Sequence, residues 1–298
     1  MKERILNIET VHQCNCCLGC KTLHPLVSVI DLSKTNLEQQ IIKFDFYTIL
    51  MMEGEIYDIL YGRKYYDYSN ASLVFLTPGE SIKINKSKAL PSKGWLLAFH
   101  PDLISQTSLG EHIKDYSFFF YNPEEALHLS QREKAKAVEC ICNIEEELRH
   151  AIDCHSQILI SRYIELLLDH CNRFYERQFI TRCEANKKIM KKTDVLLKDY
   201  ILSGKLKYNT SPSLGYCAKI LQLSSHYFND LLKFESGKNI DEYFESKRLE
   251  MAKSMLLDSN NTVSVVTEKL GYPNIRYFSR LFKRITGVAP NNYRLSQN

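Results

Sequence analysis

Hydrophobic and polar positions fall into two regimes along the chain. From 24 to 100, short runs rich in β-branched and aromatic residues alternate with turn residues. The runs are HPLVSVID, KFDFYTILMM, EIYDILY, SLVFL, SIKI and GWLLAF, with Gly54, Gly62, Pro78–Gly79 and Gly94 between them. Strands of that length and spacing predict an antiparallel sandwich or barrel, a jelly roll of cupin type. Phe44, Phe46 and Thr48 alternate with Asp45, Tyr47 and Ile49, the period-two pattern of a half-buried strand.

The period then lengthens. The aromatic run Tyr116–Tyr121 (YSFFFY) is expected to plug the barrel or pack on helices; a lid over a ligand pocket is the alternative. Ser130 with Glu133 forms a capping box that opens a helix to about His150. A second helix, about Ser156 to Gln178, carries Leu159, Ile164, Leu167, Leu168, Cys171 and Phe174. That apolar surface is wide enough to need a partner: its neighbour, the barrel or a second subunit. Polar Arg182–Lys192 reads as a linker or the start of a new domain, which divides the chain into 1–184 and 185–298.

Beyond 190 the pattern is helical and internally repeated. HYFNDLLKFESG (226–237) aligns with RYFSRLFKRITG (276–287) at an offset of 50, matching Tyr227/Tyr277, Phe228/Phe278, Leu231/Leu281, Lys233/Lys283 and Gly237/Gly287. A short helix precedes each copy, SLGYCAKIL at 213–221 and TVSVVTEKL at 262–270, and Gly271 marks a tight turn. Ser224 suits an N-cap, and Pro273 suits the first turn of the second helix. Each copy reads as a helix-turn-helix, and a continuous amphipathic helix over Asp241–Leu257 joins them. Two such units can enter successive major grooves, about 34 Å apart on one face of B-DNA.

Charge sharpens this division. Residues 187–298 hold 19 Lys/Arg against 10 Asp/Glu (+9), while 1–186 hold 20 against 25 (−5), which sum to the net +4. A basic third on an acidic body suits a nucleic-acid module joined to something else. No apolar run approaches the roughly 18–20 residues that span a bilayer. MKERILNIETVHQ lacks a signal-peptide core, so a cytoplasmic location is expected.

Ten cysteines are then read as reduced thiols. Four of them, Cys14, Cys16, Cys17 and Cys20, crowd together near His12 and His24, and thiolate with imidazole suits zinc or copper(I). The C-x-C-C-x-x-C spacing lacks the paired order of a structural zinc site, so small hydrophobes in an N-terminal helix are the default reading. No metal or other cofactor is expected. A cupin enzyme needs converging His ligands, and the barrel region offers only His24 and His100. Neither Gly-x-Ser-x-Gly nor His-Glu-x-x-His occurs, so an enzyme is not expected.

Ala218, LSSHYF (223–228), LLK (231–233), Gly237, Arg248–Leu249, Ala252, LL (256–257), LGY (270–272), YFSRLFKRITGVAP (277–290) and Tyr293–Arg294 together resemble the AraC/XylS family of transcription regulators. The resemblance covers roughly 200–296. Residues 24–180 look like the cupin-type half of such regulators, which implies effector binding and dimerisation. Thr267 stands where a small Ala is usual, and Asp230 where Arg is frequent.

The resemblance implies an α+β regulator with double-stranded promoter DNA, a small-molecule effector, a second copy of the chain and RNA polymerase as partners, and no membrane. By position, Ser225, His226, Asn229, Asp230 and Lys233 would face DNA from the first reading helix. Asn274, Arg276, Ser279, Arg280 and Lys283 would do so from the second. Arg276 leads as a base reader, because Arg grips guanine O6 and N7 together. Lys233, Lys283 and Arg284 suit phosphate. Phe228, Leu231, Phe278, Leu281 and Phe282 are expected core, Tyr227 and Tyr277 half-buried, and Arg248 a structural bridge. Two other functions fit less well: a thiol or metal sensor acting through Cys14–Cys20, and a ligand-binding barrel whose helical domain contacts protein.

Overall fold

The computed structural model describes residues 5–34, 41–53, 62–65, 67–83, 93–208, 211–258 and 260–297. The expected strand EIYDILY lies outside them. The chain divides into two compact units, Met1–Arg182 and Cys183–Asn298.

In the first unit, β1 (Ile5–Ile8), β3 (Ile41–Phe44) and β6 (Glu80–Lys83) form a three-stranded sheet in the order β1-β3-β6. β1 runs parallel to β3, and β6 antiparallel to it. A second, antiparallel sheet of five strands has the order β2-β7-β4-β5-β8: β2 (Val27–Asp31), β4 (Tyr47–Met52), β5 (Ala71–Leu76), β7 (Gly94–Phe99) and β8 (Leu127–Leu129). Among the described residues the strands make these two sheets and no closed barrel. The period-two pattern that predicted strands is insensitive to whether a sheet closes on itself.

KFDFYTILMM is likewise two strands rather than one. The chain leaves the small sheet at Phe44 and enters the large one at Tyr47. Phe44 and Phe46 both point into the same core, ring centroids 5.5 Å apart, so their alternation continues through the crossing and hides it.

β4, β5 and β7 are apolar on both faces because both are covered. Leu50, Met52, Val74, Leu76, Leu96 and Ala98 pack with Ile8, Ile42, Phe44 and Ile82 of the small sheet. Ile49, Met51, Leu73, Phe75, Leu97 and Phe99 pack on a helical layer. A strand buried on both faces reads as a continuous apolar run.

α1 (Val11–Cys17) buries Val11 and Cys14 in the core between the sheets. α2 (Pro101–Ile104) and α3 (Ser108–His112) follow β7. The aromatic run then makes a short 3-10 turn at Ser117–Phe120. Phe118 and Phe119 are buried, with Phe118 4.4 Å from Phe75 and 5.4 Å from Tyr175 between ring centroids. It packs as core, with no lid geometry.

α4 (Gln131–Glu147) opens on the expected box: Ser130 Oγ accepts from Glu133 N–H, and Glu133 Oε2 accepts from Ser130 N–H. α5 (Ser156–Thr181) packs beside it and over the sheet, burying Ile160, Ile164, Leu167, Leu168 and Cys171. It also seals the edge strand β8. Gln178 accepts from His128 N–H and donates to Ala126 O, while Arg177 donates to His128 O. Side chains thus meet main-chain groups that would otherwise invite another strand.

The second unit begins with α6 (Cys183–Leu202), a helix that includes the polar stretch expected as a linker. Its buried positions include Asn186 and Thr193 beside Leu197, Tyr200 and Ile201, so polarity hid its inward face. α7 (Leu214–Leu221), α8 (Ser225–Ser236), α9 (Ile240–Leu257), α10 (Val263–Lys269), α11 (Ile275–Thr286) and α12 (Pro290–Gln297) follow. Phe228, Leu232, Phe244, Leu249, Ala252, Val266, Phe278 and Phe282 share one core. No described helix is long and apolar enough to cross a membrane.

Candidate nucleic-acid interface

Two helix-turn-helix pairs stand in the second unit, α7–α8 and α10–α11. Their lead helices end alike. Leu223 N–H bonds Ala218 O at 3.0 Å and Gln222 N–H bonds Lys219 O at 3.3 Å; Tyr272 N–H bonds Thr267 O at 3.0 Å and Gly271 N–H bonds Glu268 O at 3.0 Å. Both patterns are Schellman ends, with the left-handed residue at Gln222 (φ 59°) and Gly271 (φ 67°). A Cβ on Gly271 would lie 2.4 Å from Leu206 Cβ, so close approach as well as φ demands glycine there.

Between these turns the repeat offset is 49, whereas between the reading-helix caps, Ser224 and Asn274, it is 50. The second turn therefore holds one more residue. Ser224 Oγ accepts from Tyr227 N–H at 3.1 Å and Asn274 Oδ1 from Tyr277 N–H at 2.8 Å. Pro273 precedes the cap instead of opening the helix. Asn274, expected to face DNA, already commits its Oδ1 to this cap; its exposed amide NH2 is what it can offer a ligand.

α11 has the cleaner two-faced pattern. Phe278, Leu281 and Phe282 are buried, and the rings of Tyr272, Phe278, Phe282 and Tyr293 stand 5.0, 5.5 and 5.4 Å apart in succession. Arg276, Arg280, Lys283 and Arg284 are exposed. None of the four makes an ion pair among the described residues. In α8, Phe228, Leu231 and Leu232 are buried, His226 and Lys233 are exposed, and Ser225, Asn229 and Asp230 are half-buried. Asn229 Nδ2 donates to Asp230 Oδ1 at 3.2 Å, so that amide is turned to its neighbour.

The helices differ in charge. α11 carries four cations and no acid, while α8 carries Lys233 against Asp230 and Glu235. They also differ at the paired tyrosines, both expected half-buried: Tyr227 is 3% exposed and Tyr277 52%. Tyr277 and its exposed neighbour Ile275 thus join the outer face of α11, a role the repeat alignment could not signal because the paired residues are identical at 227 and 277.

Arg248 of α9 holds the second turn, as expected of a bridge. Its Nε and Nη2 donate to Leu270 O at 3.1 and 2.8 Å, Nη1 to Glu245 at 3.0 Å, and its guanidinium lies 3.9 Å over the Tyr272 ring. Tyr272 donates its hydroxyl to Glu245 at 2.8 Å; burial and that carboxylate push the phenol well above its ordinary range. Arg294 donates to Leu256 O and Asn261 O, tying α12 to the end of α9. Thr267, at the family's usual Ala position, is buried and returns its hydroxyl to Val263 O at 2.7 Å.

The cysteine group is not gathered as a metal site: no cluster of three or more His, Cys, Asp or Glu fit to hold an ion occurs among the described residues. Cys14 is buried, and desolvation pushes its thiol up to about 12. Cys17 and Cys20 pack against the core between the sheets. Cys16 is exposed.

Two capped helix pairs on one core, the second with a cationic outer face, define a double helix-turn-helix module. Residues 217–296 match the family described as helix-turn-helix domain. The chain is 39% identical over 77 residues to the uncharacterized HTH-type transcriptional regulator YobQ of Bacillus subtilis (strain 168), covering 26% of this chain and 32% of that protein. It is 34% identical over 89 residues to the raffinose operon transcriptional regulatory protein RafR of Pediococcus pentosaceus, covering 30% and 32%. Among solved structures, the C-terminal domain of AraT, a response regulator from Geobacillus stearothermophilus, is 27% identical, with 36% of this chain and 84% of that chain covered and a TM-score of 0.30. The matched segment spans 11–32% of the length of the first curated relatives. Residues 217–296 thus form a helix-turn-helix domain of AraC/XylS type.

Proposed function

We propose that the chain is a sequence-specific DNA-binding transcription regulator in which α8 and α11 enter successive major grooves. The observation that carries this is the second pair: an N-capped helix on an aromatic core, presenting four cations that no described acid neutralises. α11 anchors the complex, with Arg276 reading a base and Lys283 and Arg284 meeting phosphate. α8, with fewer cations, contributes His226, Ser225, Asn229 and Lys233, so the two half-sites differ. RafR and YobQ, transcriptional regulators by name, support the same role.

Arg276→Ala is expected to weaken operator binding by about 1–3 kcal/mol and to relax base choice at one position. Titration of the operator, single-base variants of it and random DNA checks this. An equal loss on all of them removes the base-reading role.

The first unit is proposed to hold a small-molecule effector and to dimerise. Regulation would follow from differential ligand affinity for DNA-competent and incompetent arrangements. The dimer reading is supported by Leu159 and Leu166, which stand exposed (41% and 43%) on α5 with Ile158. Leu159→Glu with Leu166→Glu is expected to leave a monomer in sedimentation velocity; a native chain that already sediments as a monomer ends that reading.

A further inference from the structure

The first unit contains a hydrogen-bond chain that neither its packing nor DNA binding requires. It starts in the core, where Ser28 Oγ, on β2, donates to Asn15 Oδ1 at 2.6 Å. Asn15 is fully buried, and this bond orients its amide so that Nδ2 donates to Thr22 Oγ1 at 3.2 Å. Thr22 Oγ1 also lies 2.9 Å from His12 Nδ1, and His12 Nε2 lies 3.5 Å from Cys16 Sγ. His12 and Cys16 stand one turn apart on α1, which brings i and i+4 side chains together.

The Thr22 oxygen has two acceptor lone pairs, so one can take the Asn15 amide and the other His12 Nδ1–H. In that tautomer the Nε2 lone pair faces the Cys16 thiol. Ser28, Asn15, Thr22 and His12 thus lead to an exposed nucleophile, Cys16. Nucleophile, imidazole and a third group orienting the imidazole form the arrangement of an activated side chain. A buried Asn and Ser, a half-buried Thr and a surface His are more than α1 needs to pack, since Val11 and Cys14 already supply its core face.

We propose that Cys16 is a thiol-modification site for low-molecular-weight disulfides. The Cys16 sulfur attacks one sulfur of the disulfide; a new S–S bond forms, the old one breaks, and the departing thiolate takes up the proton that Cys16 released. No electrons beyond this exchange are needed: the small disulfide is reduced to one free thiol and one thiol held in the mixed disulfide. His12 Nε2 accepts the thiol proton as the Cys16 sulfur attacks and passes it to the departing thiolate. The other three cysteines of the group do not compete, because Cys14 is buried and Cys17 and Cys20 lie against the core. The site lies in the first unit and stands independently of the DNA-binding role.

The probe is glutathione disulfide, added to the reduced full-length chain at neutral pH, with occupancy of each thiol read by peptide mass mapping over time. Cys142, Cys154 and Cys183 are also exposed and serve as internal references. Cys16 is expected to acquire the adduct about tenfold faster than Cys154, since activated thiols outpace ordinary exposed ones. Thr22→Val, which cannot hydrogen-bond Nδ1, should remove that advantage while leaving the Cys154 rate unchanged; Thr22→Ser should restore it. Equal rates at Cys16 and Cys154 in the native chain overturn the proposal. So does a Thr22→Val chain that keeps the fast Cys16 rate.

Discussion

Asp67→Ala is expected to destabilise the first unit by about 4 kcal/mol, because removing one member of a buried ion pair leaves the other charge in a poor solvent. Asp67 receives Arg182 Nε at 2.8 Å and Nη2 at 2.7 Å, a two-point contact, and its side chain is fully buried. The same carboxylate accepts from Lys64 N–H at 2.9 Å, and Asp67 N–H bonds Lys64 O, so Lys64 is clasped to it from both main-chain groups. Arg182 caps the end of α5, its own N–H returning to Gln178 O. One pair thus ties Asp67, and Lys64 with it, to the last residue of the unit. Urea unfolding of the native chain, Asp67→Ala and Asp67→Leu/Arg182→Met measures it. The double replacement is expected to cost less than Asp67→Ala, since an apolar pair of similar volume carries no desolvation penalty. A single-variant loss below about 1 kcal/mol would mean that the pair behaves as an exposed one.

Arg248→Ala should cost the second unit about 3 kcal/mol, from two charge-assisted bonds to Leu270 O and the stack on Tyr272. Leu270 O belongs to the end of α10, which Arg248 closes from the side of α9. Losing it frees the turn that sets the angle between α10 and α11. Operator affinity is therefore expected to fall with stability, and Arg248→Lys should recover little, because a point charge cannot make the forked contact and the stack together. Thermal unfolding and operator titration on the same samples check both. An Arg248→Lys chain with native stability and affinity would show that charge alone suffices.

How much of this was readable in the residues differs by element. The helical third was legible because its signals are local. Ser224 sits at a helix start and caps it, as Ser130 with Glu133 does earlier in the chain, and a 3.6-residue period chose Phe278, Leu281 and Phe282 as the inner face; Asn274 caps α11 where Pro273 was expected to open it. The candidate DNA-facing residues were legible for the same reason, as the complement of that face. What escaped was whatever depends on the partner across the gap. Tyr227 and Tyr277 occupy equal places in the repeat, yet one is covered and the other bare. Closure of the strands into a barrel leaves no trace in alternation, and Phe44 and Phe46 mask a crossing between sheets by serving one core from both sides of it. The chain from Ser28 to Cys16 was invisible because its members are 13, 7, 10 and 4 residues apart and meet only once α1 lies against β2.

The double-sided burial of β4, β5 and β7 also sets a problem in time. YTILMM, ASLVFL and GWLLAF are uncharged, rich in β-formers and free of proline, the composition of segments that assemble with their own kind when bare. One of their faces is covered by α5, which begins at Ser156, 80 residues after β5 ends at Leu76. At about 5–20 residues per second, a ribosome needs roughly 4–16 s to reach the start of that helix. During that interval the nascent sheet depends on chaperones or on slow pairing, and yield in a heterologous host should follow elongation rate across 77–181 more closely than it follows the stability of the finished protein.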